Sequence, residues 1–161
     1  MKISLFCAAF VAASALGGTA HAARLSVKQV PLRADAPVLF APRGWKIEKR
    51  VNGDLNRDKI ADAVLVLIEN KPAKDASGDA TERNRALVVL VREGKGWRRA
   101  GFSGELLLGT RQGGAFYGVS ETPVEVKIER GVLMVRHEAG SRNVATTTHR
   151  FRVDRKSGRL Y

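Results

Sequence analysis

A short acidic segment, Asp54 to Asp62, carries the side chains in this chain whose types and spacing best suit binding chemistry. Oxygen-bearing side chains stand at the first, third, fifth and ninth loop positions: Asp54, Asn56, Asp58 and Asp62. The seventh position, Ile60, offers its backbone carbonyl. Ca²⁺ is a hard cation that takes roughly six to eight oxygen ligands, and loops with acids at alternate residues supply most of them. The spacing therefore predicts a Ca²⁺ site formed by these five residues.

The same residue types also stabilise tight turns without an ion. Asp and Asn side chains accept hydrogen bonds from backbone N–H groups a few residues further on. The sixth loop position, usually glycine because the backbone turns sharply there, is Lys59, and Arg57 lies close to it. Both cations weaken Ca²⁺ binding, and either would replace the ion by pairing with the carboxylates. The sequence leaves the Ca²⁺ loop and the ion-free turn open as alternatives.

The segment 53–58, with Asp62 and the aliphatic run Val64 to Ile68 behind it, resembles the calcium loop of FG-GAP and VCBS-type repeats. The resemblance implies a loop that binds Ca²⁺ and braces a strand turn, in a small exported bacterial protein. The motif occurs once, within residues 53–68, whereas a propeller needs several blades. We therefore expect a single repeat embedded in another β fold.

Residues 1–22 have the features of a secretory signal peptide. Lys2 gives a basic start, residues 3–16 are apolar and small, and Ala20-His21-Ala22 fits the small-x-small cleavage pattern. The apolar run is shorter than the roughly 20 residues that span a membrane, so we expect no membrane span. Cys7, the only cysteine, lies in this segment, and the rest of the chain has no disulfide or thiol site. The sequence predicts a periplasmic or secreted protein.

The chain is strongly basic, with 28 Lys and Arg against 16 Asp and Glu and a formal net charge of +12. Such a charge favours a polyanionic partner, for example an anionic component of the cell envelope. The basic residues are scattered, however, and many alternate with apolar ones, as in Val126-Lys127-Ile128, which is typical of a solvated sheet face. Without a basic helix or a nucleic-acid motif, specific nucleic-acid recognition is not expected. The partner stays open between an envelope component and another protein.

Short β-branched and aliphatic runs, separated by turn residues, predict the fold. Residues 23–44 read as an extended, proline-containing lead-in, and residues 45–161 as an antiparallel β domain with the acidic loop at 53–62. The consecutive aliphatics Val64 to Ile68 indicate a central strand buried on both faces. Strands are expected at 45–50, 63–69, 85–92, 97–102, 105–108, 123–129, 132–137 and 146–153. We predict a mainly β, sandwich-like single domain of about eight short strands, not a full propeller.

Two further pairs of side chains are candidate sites. His137 and His149 flank a predicted turn near Asn143 and would face each other across two strands. Such a pair suits a base or a transition-metal ligand set, although a third ligand is not evident, and two half-exposed strand residues are the plainer interpretation. Phe116 and Tyr117, in a glycine-rich segment, either pack inward or form an exposed ligand surface.

These patterns favour an exported, non-enzymatic β domain with one Ca²⁺-binding loop and a structural or partner-binding role. The first alternative is a periplasmic hydrolase that uses His137 or His149. The second is an adhesion or inhibitor module that binds a protein through Phe116 and Tyr117. No nucleophile-elbow or oxyanion motif is present in the sequence, so we assign no catalytic residue.

Overall fold

The computed structural model describes residues 24–118 and 120–161, and the predicted signal peptide, residues 1–22, lies outside the described residues. Within these ranges the chain is mainly β, as predicted, and forms two open antiparallel sheets. The strands are β1 (Arg33–Ala34), β2 (Trp45–Gly53), β3 (Asp62–Glu69), β4 (Arg85–Glu93), β5 (Gly96–Ser103), β6 (Glu125–Glu129), β7 (Val132–Gly140) and β8 (Val144–Phe151). Short 3-10 turns occur at Val27–Gln29, Pro37–Phe40 and Ala115–Tyr117.

The larger sheet has five strands in the order β1-β5-β4-β3-β2, and the smaller sheet has three in the order β6-β7-β8. Strands that follow one another from β2 to β5, and from β6 to β8, pair directly with antiparallel registers. Antiparallel neighbours need no crossover helix, so short turns and surface loops suffice as connections. No helix of the described residues has the length and apolar character that crossing a membrane requires.

Strands β3 and β4 form the centre of the larger sheet. Every residue of β3 is buried, and so are the first seven residues of β4. Successive side chains of a strand point to opposite faces of its sheet. A strand that is buried along its whole length must therefore be covered on both faces, as the aliphatic run in β3 predicted.

The N-terminal lead-in covers one face of the larger sheet. Leu25, Val30 and Phe40 of this segment share a buried cluster with Leu65 and Leu67 of β3. The prolines of this segment suggested an extended chain. The segment instead forms two 3-10 turns and the short strand β1, which pairs with β5. It belongs to the hydrophobic core of the domain.

The three-stranded sheet covers the opposite face. Side chains of both sheets form a second buried cluster, whose members include Val64, Val66, Leu87, Val126, Leu133 and Val135. At the seam, the last residue of β2 lies against β6: a Cβ atom placed on Gly53 would be 2.7 Å from Cγ2 of Ile128. Gly53 therefore allows the two sheets to approach where the acidic loop begins.

The predicted strands agree with the structure to within a few residues, except at 105–108. This segment forms a bend after β5, and Leu107 is buried in the cluster between the sheets. A short apolar run in a sequence is consistent with either a strand or a buried loop. The strand predicted there is wrong.

The packing of the lead-in predicts a large effect of Phe40→Ala, because Phe40 is fully buried. Removal of its ring should lower the free energy of unfolding by about 3–5 kcal/mol. Val38→Ala, in the same 3-10 turn but 63% exposed, is the matched control and should change stability by less than about 0.5 kcal/mol. Urea denaturation of both variants measures the difference, and equal stability would show that the lead-in does not contribute to the core.

Candidate functional site

The acidic loop joins β2 to β3 and is held by its own side chains. The Asp54 carboxylate accepts hydrogen bonds from the backbone N–H groups of Asp58 at 3.1 Å and Lys59 at 2.9 Å. The Asn56 side-chain oxygen accepts from the same N–H of Asp58 at 3.0 Å. The Asp58 carboxylate accepts from the N–H of Ile60 at 2.7 Å. Asp54 and Asn56, at the first and third loop positions, therefore share one donor, the N–H of Asp58, in a side-chain-stabilised turn.

Asp62 fastens the loop to the core of the larger sheet. Its carboxylate is fully buried and accepts hydrogen bonds from the N–H of Leu55 and from the N–H of Arg92, each at 2.9 Å. The first contact reaches the start of the loop, and the second reaches the neighbouring strand β4. Burial raises the pKa of Asp62 above its ordinary value of 3.8, although these backbone hydrogen bonds act in the opposite direction. Both oxygens of Asp62 are engaged inside the protein.

Two cations, Arg57 and Lys59, lie within the loop sequence. Across residues 24–118 and 120–161, neither forms an ion pair with Asp54 or Asp58. In the same ranges, no three His, Cys, Asp or Glu side chains are gathered so that they could hold a metal ion. A cation here would need the Asn56 oxygen and backbone or water oxygens besides two carboxylates. That all-oxygen donor set fits a hard cation such as Ca²⁺.

The loop makes its sharp turn without glycine at the sixth position. Lys59 has a φ of 69°, in the left-handed region that favours glycine, and Arg57 has a φ of 62°. The departure from the calcium-loop pattern at Lys59 has therefore not prevented the turn. The side chains of Arg57 and Lys59 are both exposed, and the Asp54 carboxylate accepts the backbone hydrogen bonds of the bend.

A basic concavity adjoins the loop, and the sequence did not reveal it. A Cβ atom placed on Gly131, in the β6–β7 turn, would be 3.1 Å from Nε of Arg57, so this arginine reaches from the loop to that turn. Beside it lies a concavity of about 1010 Å³, which we call the arginine groove. Its lining includes Arg57, Arg130, Arg150, Arg152, Glu129 and Tyr161. The groove extends into a neighbouring depression that adds Arg155, whose Nε donates to the carbonyl of Asn56 at 3.1 Å.

The charge on the outer face of the smaller sheet differs between its two ends. At one end Glu125 pairs with Lys127 and with Arg136, and Glu138 also pairs with Arg136. At the other end, the four groove arginines form no ion pair with any residue that the structure describes. Four arginines that are scattered in the sequence therefore meet in space.

His137 and His149 lie near each other but are not directly opposite. The register pairs His137 with Thr147 and His149 with Val135, because the hairpin is centred one residue before Asn143. The ring centroids are 5.7 Å apart, and burial, followed by the nearby His149, lowers the pKa of His137. Nδ1 of His137 is buried without a hydrogen-bond partner in the described part of the chain. The pair thus lacks the oriented acid that a hydrolytic base ordinarily has.

Phe116 and Tyr117 lie in the 3-10 turn that precedes the smaller sheet. Their rings meet edge to face, with centroids 5.1 Å apart. Phe116 is 55% exposed, whereas the Tyr117 hydroxyl donates to Oε2 of Glu138 at 3.3 Å. Partial burial and the adjacent Glu138 raise the pKa of Tyr117. The Phe116 ring is exposed, whereas the Tyr117 side chain is hydrogen-bonded to Glu138 of β7.

A buried cluster of charges is a further feature that the sequence did not reveal. The guanidinium of Arg85 is almost fully buried and donates two hydrogen bonds to the Glu48 carboxylate, each at 2.7 Å. It also donates to the carbonyl of Thr122 at 2.8 Å, and the neighbouring Arg83 pairs with Glu121. These contacts fasten β2 and the segment before β6 to the start of β4. We interpret the cluster as structural, because Arg85 directs its donors to protein acceptors.

No protein-family model, curated protein or solved structure matches this chain.

The anchoring role of Asp62 predicts a destabilised and pH-dependent Asp62→Asn variant. An amide has one oxygen, so one of the two N–H groups loses its acceptor, which costs about 1–3 kcal/mol. Because the folded-state pKa of Asp62 is raised, the folded protein binds this proton more tightly than the unfolded chain. The stabilisation that this proton gives the folded state is complete below pH 3.8. It is lost as the pH rises through the pKa of Asp62 in the folded protein.

The difference in unfolding free energy between the natural protein and Asp62→Asn should therefore shrink as the pH rises. Urea denaturation at a series of pH values measures it. Asp58→Asn, which changes an exposed acid of the same loop, is the control for loss of a loop carboxylate that is not buried. A difference that grows with pH would contradict the raised pKa.

Proposed function

We propose that this protein is an exported, non-enzymatic β domain with a partner-binding role, and that its acidic loop binds one Ca²⁺ ion that stabilises the fold. The observation that carries the Ca²⁺ proposal is the charge arrangement of the loop. Asp54 and Asp58 lie on one bend, and within the described chain no side-chain cation pairs with either. Bound Ca²⁺ would supply the missing positive charge.

Asp54, Asn56, Asp58 and the backbone carbonyl of Ile60 would hold the ion, with water completing the shell. Every oxygen of these three side chains already accepts an N–H, from the backbone or, for Oδ2 of Asp58, from the Asn56 amide. Each has a further lone pair for the ion. We assign Asp62 the role of anchor in place of the ligand role that its spacing predicted, since its carboxylate is fully buried, whereas Asp54 and Asp58 lie on the accessible bend. A rigid anchor beneath the loop keeps the other oxygens from spreading.

Two cations beside the ligands make the proposed site weak. Arg57 and Lys59 both lie within the loop and repel a divalent ion, and only two carboxylates remain as charged ligands. Loops of this kind in extracellular modules bind Ca²⁺ with dissociation constants of about 10⁻⁴ to 10⁻³ M. Binding in that range suits an exported protein, which meets more Ca²⁺ than a cytosolic one. The resemblance to a single FG-GAP or VCBS-type repeat supports the same interpretation.

A binding role fits the geometry better than hydrolysis does. The histidine pair has no hydrogen-bonded carboxylate among the described residues, so neither ring is prepared as a general base. The protein instead offers a rigid core that supports an exposed loop, a groove and the exposed ring of Phe116. A domain of this kind presents surfaces to a partner.

The Ca²⁺ proposal predicts a rise in melting temperature on addition of Ca²⁺. At ten times the dissociation constant, a ligand that binds only the folded state adds about 1.4 kcal/mol of stability. In a domain of this size, that corresponds to a rise of about 4–6 °C. Thermal unfolding followed by circular dichroism, first in chelator and then across a Ca²⁺ titration, measures the shift.

The Asp58→Ala variant should show no such rise, because it lacks a proposed ligand. Asp35→Ala removes an exposed carboxylate outside the loop and should keep the full response to Ca²⁺. Mg²⁺ should stabilise much less, since it demands a nearly ideal octahedral site. If the natural protein melts at the same temperature with and without Ca²⁺, the loop is an ion-free turn.

A further inference from the structure

We propose that the arginine groove binds an anionic polysaccharide, that is, a chain of sugar rings with repeated phosphate, sulfate or carboxylate groups. The groove shares Arg57 with the acidic loop, but its other arginines come from the smaller sheet and the segment after it. Binding of a polysaccharide there does not require a bound Ca²⁺ ion.

The groove carries an excess of positive charge. Arg57, Arg130, Arg150 and Arg152 come from three separate segments of the chain and meet at one concavity, which holds one acidic side chain, Glu129. All four arginines are exposed, and none has an ion-pair partner among the residues that the structure describes. Like charges gathered in a concave surface repel one another and concentrate a positive potential there. An anionic ligand would relieve this repulsion.

Two of these arginines have a strained backbone. Arg57 has a φ of 62° and Arg130 a φ of 51°, a region where Asn or Gly is less strained. Arg130 stands before Gly131 in the β6–β7 hairpin, a position where Asn-Gly is the preferred pair. Strained residues cluster at ligand-binding sites. Of the three non-glycine residues with a positive φ in the described chain, Arg57 and Arg130 line the groove and Lys59 lies in the acidic loop.

The lining combines guanidinium groups with apolar side chains. Guanidinium groups bind phosphate, sulfate and carboxylate through two parallel hydrogen bonds, which lysine does not. Val132, Met134 and Tyr161 line the same groove, and Tyr161 is 68% exposed. Apolar side chains beside cations suit a ligand that has both C–H faces and anionic groups. A substituted sugar chain has both.

The lining also disfavours single-stranded nucleic acid. Sites for single-stranded nucleic acid stack successive bases on several aromatic rings. Tyr161 is the aromatic residue in the described lining of this groove. A polysaccharide does not need a series of stacking rings.

The test compares two variants that lose the same number of charges. The groove variant carries Arg57→Asn, Arg130→Asn, Arg150→Gln and Arg152→Gln. The control variant carries Lys28→Gln, Arg43→Gln, Lys46→Gln and Lys74→Gln, four exposed residues outside the groove. Titration calorimetry with a dextran sulfate oligosaccharide, and with uncharged dextran of equal length, measures binding in chelator and again in excess Ca²⁺.

The natural protein should bind dextran sulfate and not uncharged dextran. The groove variant should bind dextran sulfate at least about tenfold more weakly, since it loses charged hydrogen bonds. The control variant should stay within about twofold of the natural protein, because its charges lie outside the groove. The melting temperature of the groove variant should not fall, because Asn tolerates the backbone conformation at residues 57 and 130 better than Arg does. Weaker binding without lost stability separates a ligand-binding role from a structural one.

If the groove variant and the control variant lose affinity for dextran sulfate equally, the proposal is overturned, since the attraction would then depend on net charge alone. Absence of binding to dextran sulfate would also overturn it. Tighter binding to a charge-matched oligothymidylate, or to phosphatidylglycerol vesicles, would assign the groove to a different partner. The melting curves with Ca²⁺ are measured separately, so failure of the groove and failure of the Ca²⁺ loop are distinguishable.

The Tyr161→Ala variant tests recognition of the sugar ring. It leaves every groove arginine in place, and the backbone hydrogen bonds between Tyr161 and Arg152 do not involve the ring. Affinity for dextran sulfate should fall, whereas the dependence of the affinity on salt concentration should stay the same, because no charge has changed. Unchanged affinity would show that the groove recognises charge without the saccharide.

Discussion

The burial of β3 and β4 on both faces is the constraint on which the rest of this structure depends. All of β3 and most of β4 are inaccessible to solvent, so two separate covers are necessary. The lead-in supplies one cover through Phe40 and its neighbours, and the smaller sheet supplies the other through residues such as Leu133. Neither cover has a core of its own. Each is stable because the central pair of strands offers it an apolar surface.

The same constraint positions the acidic loop. The loop begins at the seam of the two sheets, where Gly53 lets β2 approach Ile128, and it ends where Asp62 enters the buried strand. A carboxylate at that point lies beyond the reach of water and must be satisfied by the protein, which the N–H groups of Leu55 and Arg92 accomplish. Packing therefore fixes both ends of the loop. Its middle remains exposed, with oxygens toward the bend and Arg57 toward the groove.

The sequence predicted what depends on local pattern. The aliphatic run identified β3 as central, alternating segments identified most strands, and Asp and Asn spacing identified the loop, whose ion binding stays a prediction. What it missed depends on tertiary packing. Residues 105–108 look like a strand but form a bend, and the proline-containing lead-in gave no sign that Phe40 is core. The arginine groove was missed because residues 57, 130, 150 and 152 belong to three distant segments, and no local period connects them.

Arg57 and Arg130 connect the energetics of the fold to its surface. Each adopts a positive φ, and each adds positive charge to a concavity that already holds other arginines. Both effects raise the free energy of the unliganded folded state, and either would be smaller with asparagine at the same position. Among the described residues, none of the four groove arginines forms an ion pair, and Glu129 is the acidic side chain in the lining. A protein whose core is closed on both faces tolerates such local strain, because the backbone around it is held by buried strands. The stability of β3 and β4 is thus what allows a strained and highly charged rim to persist.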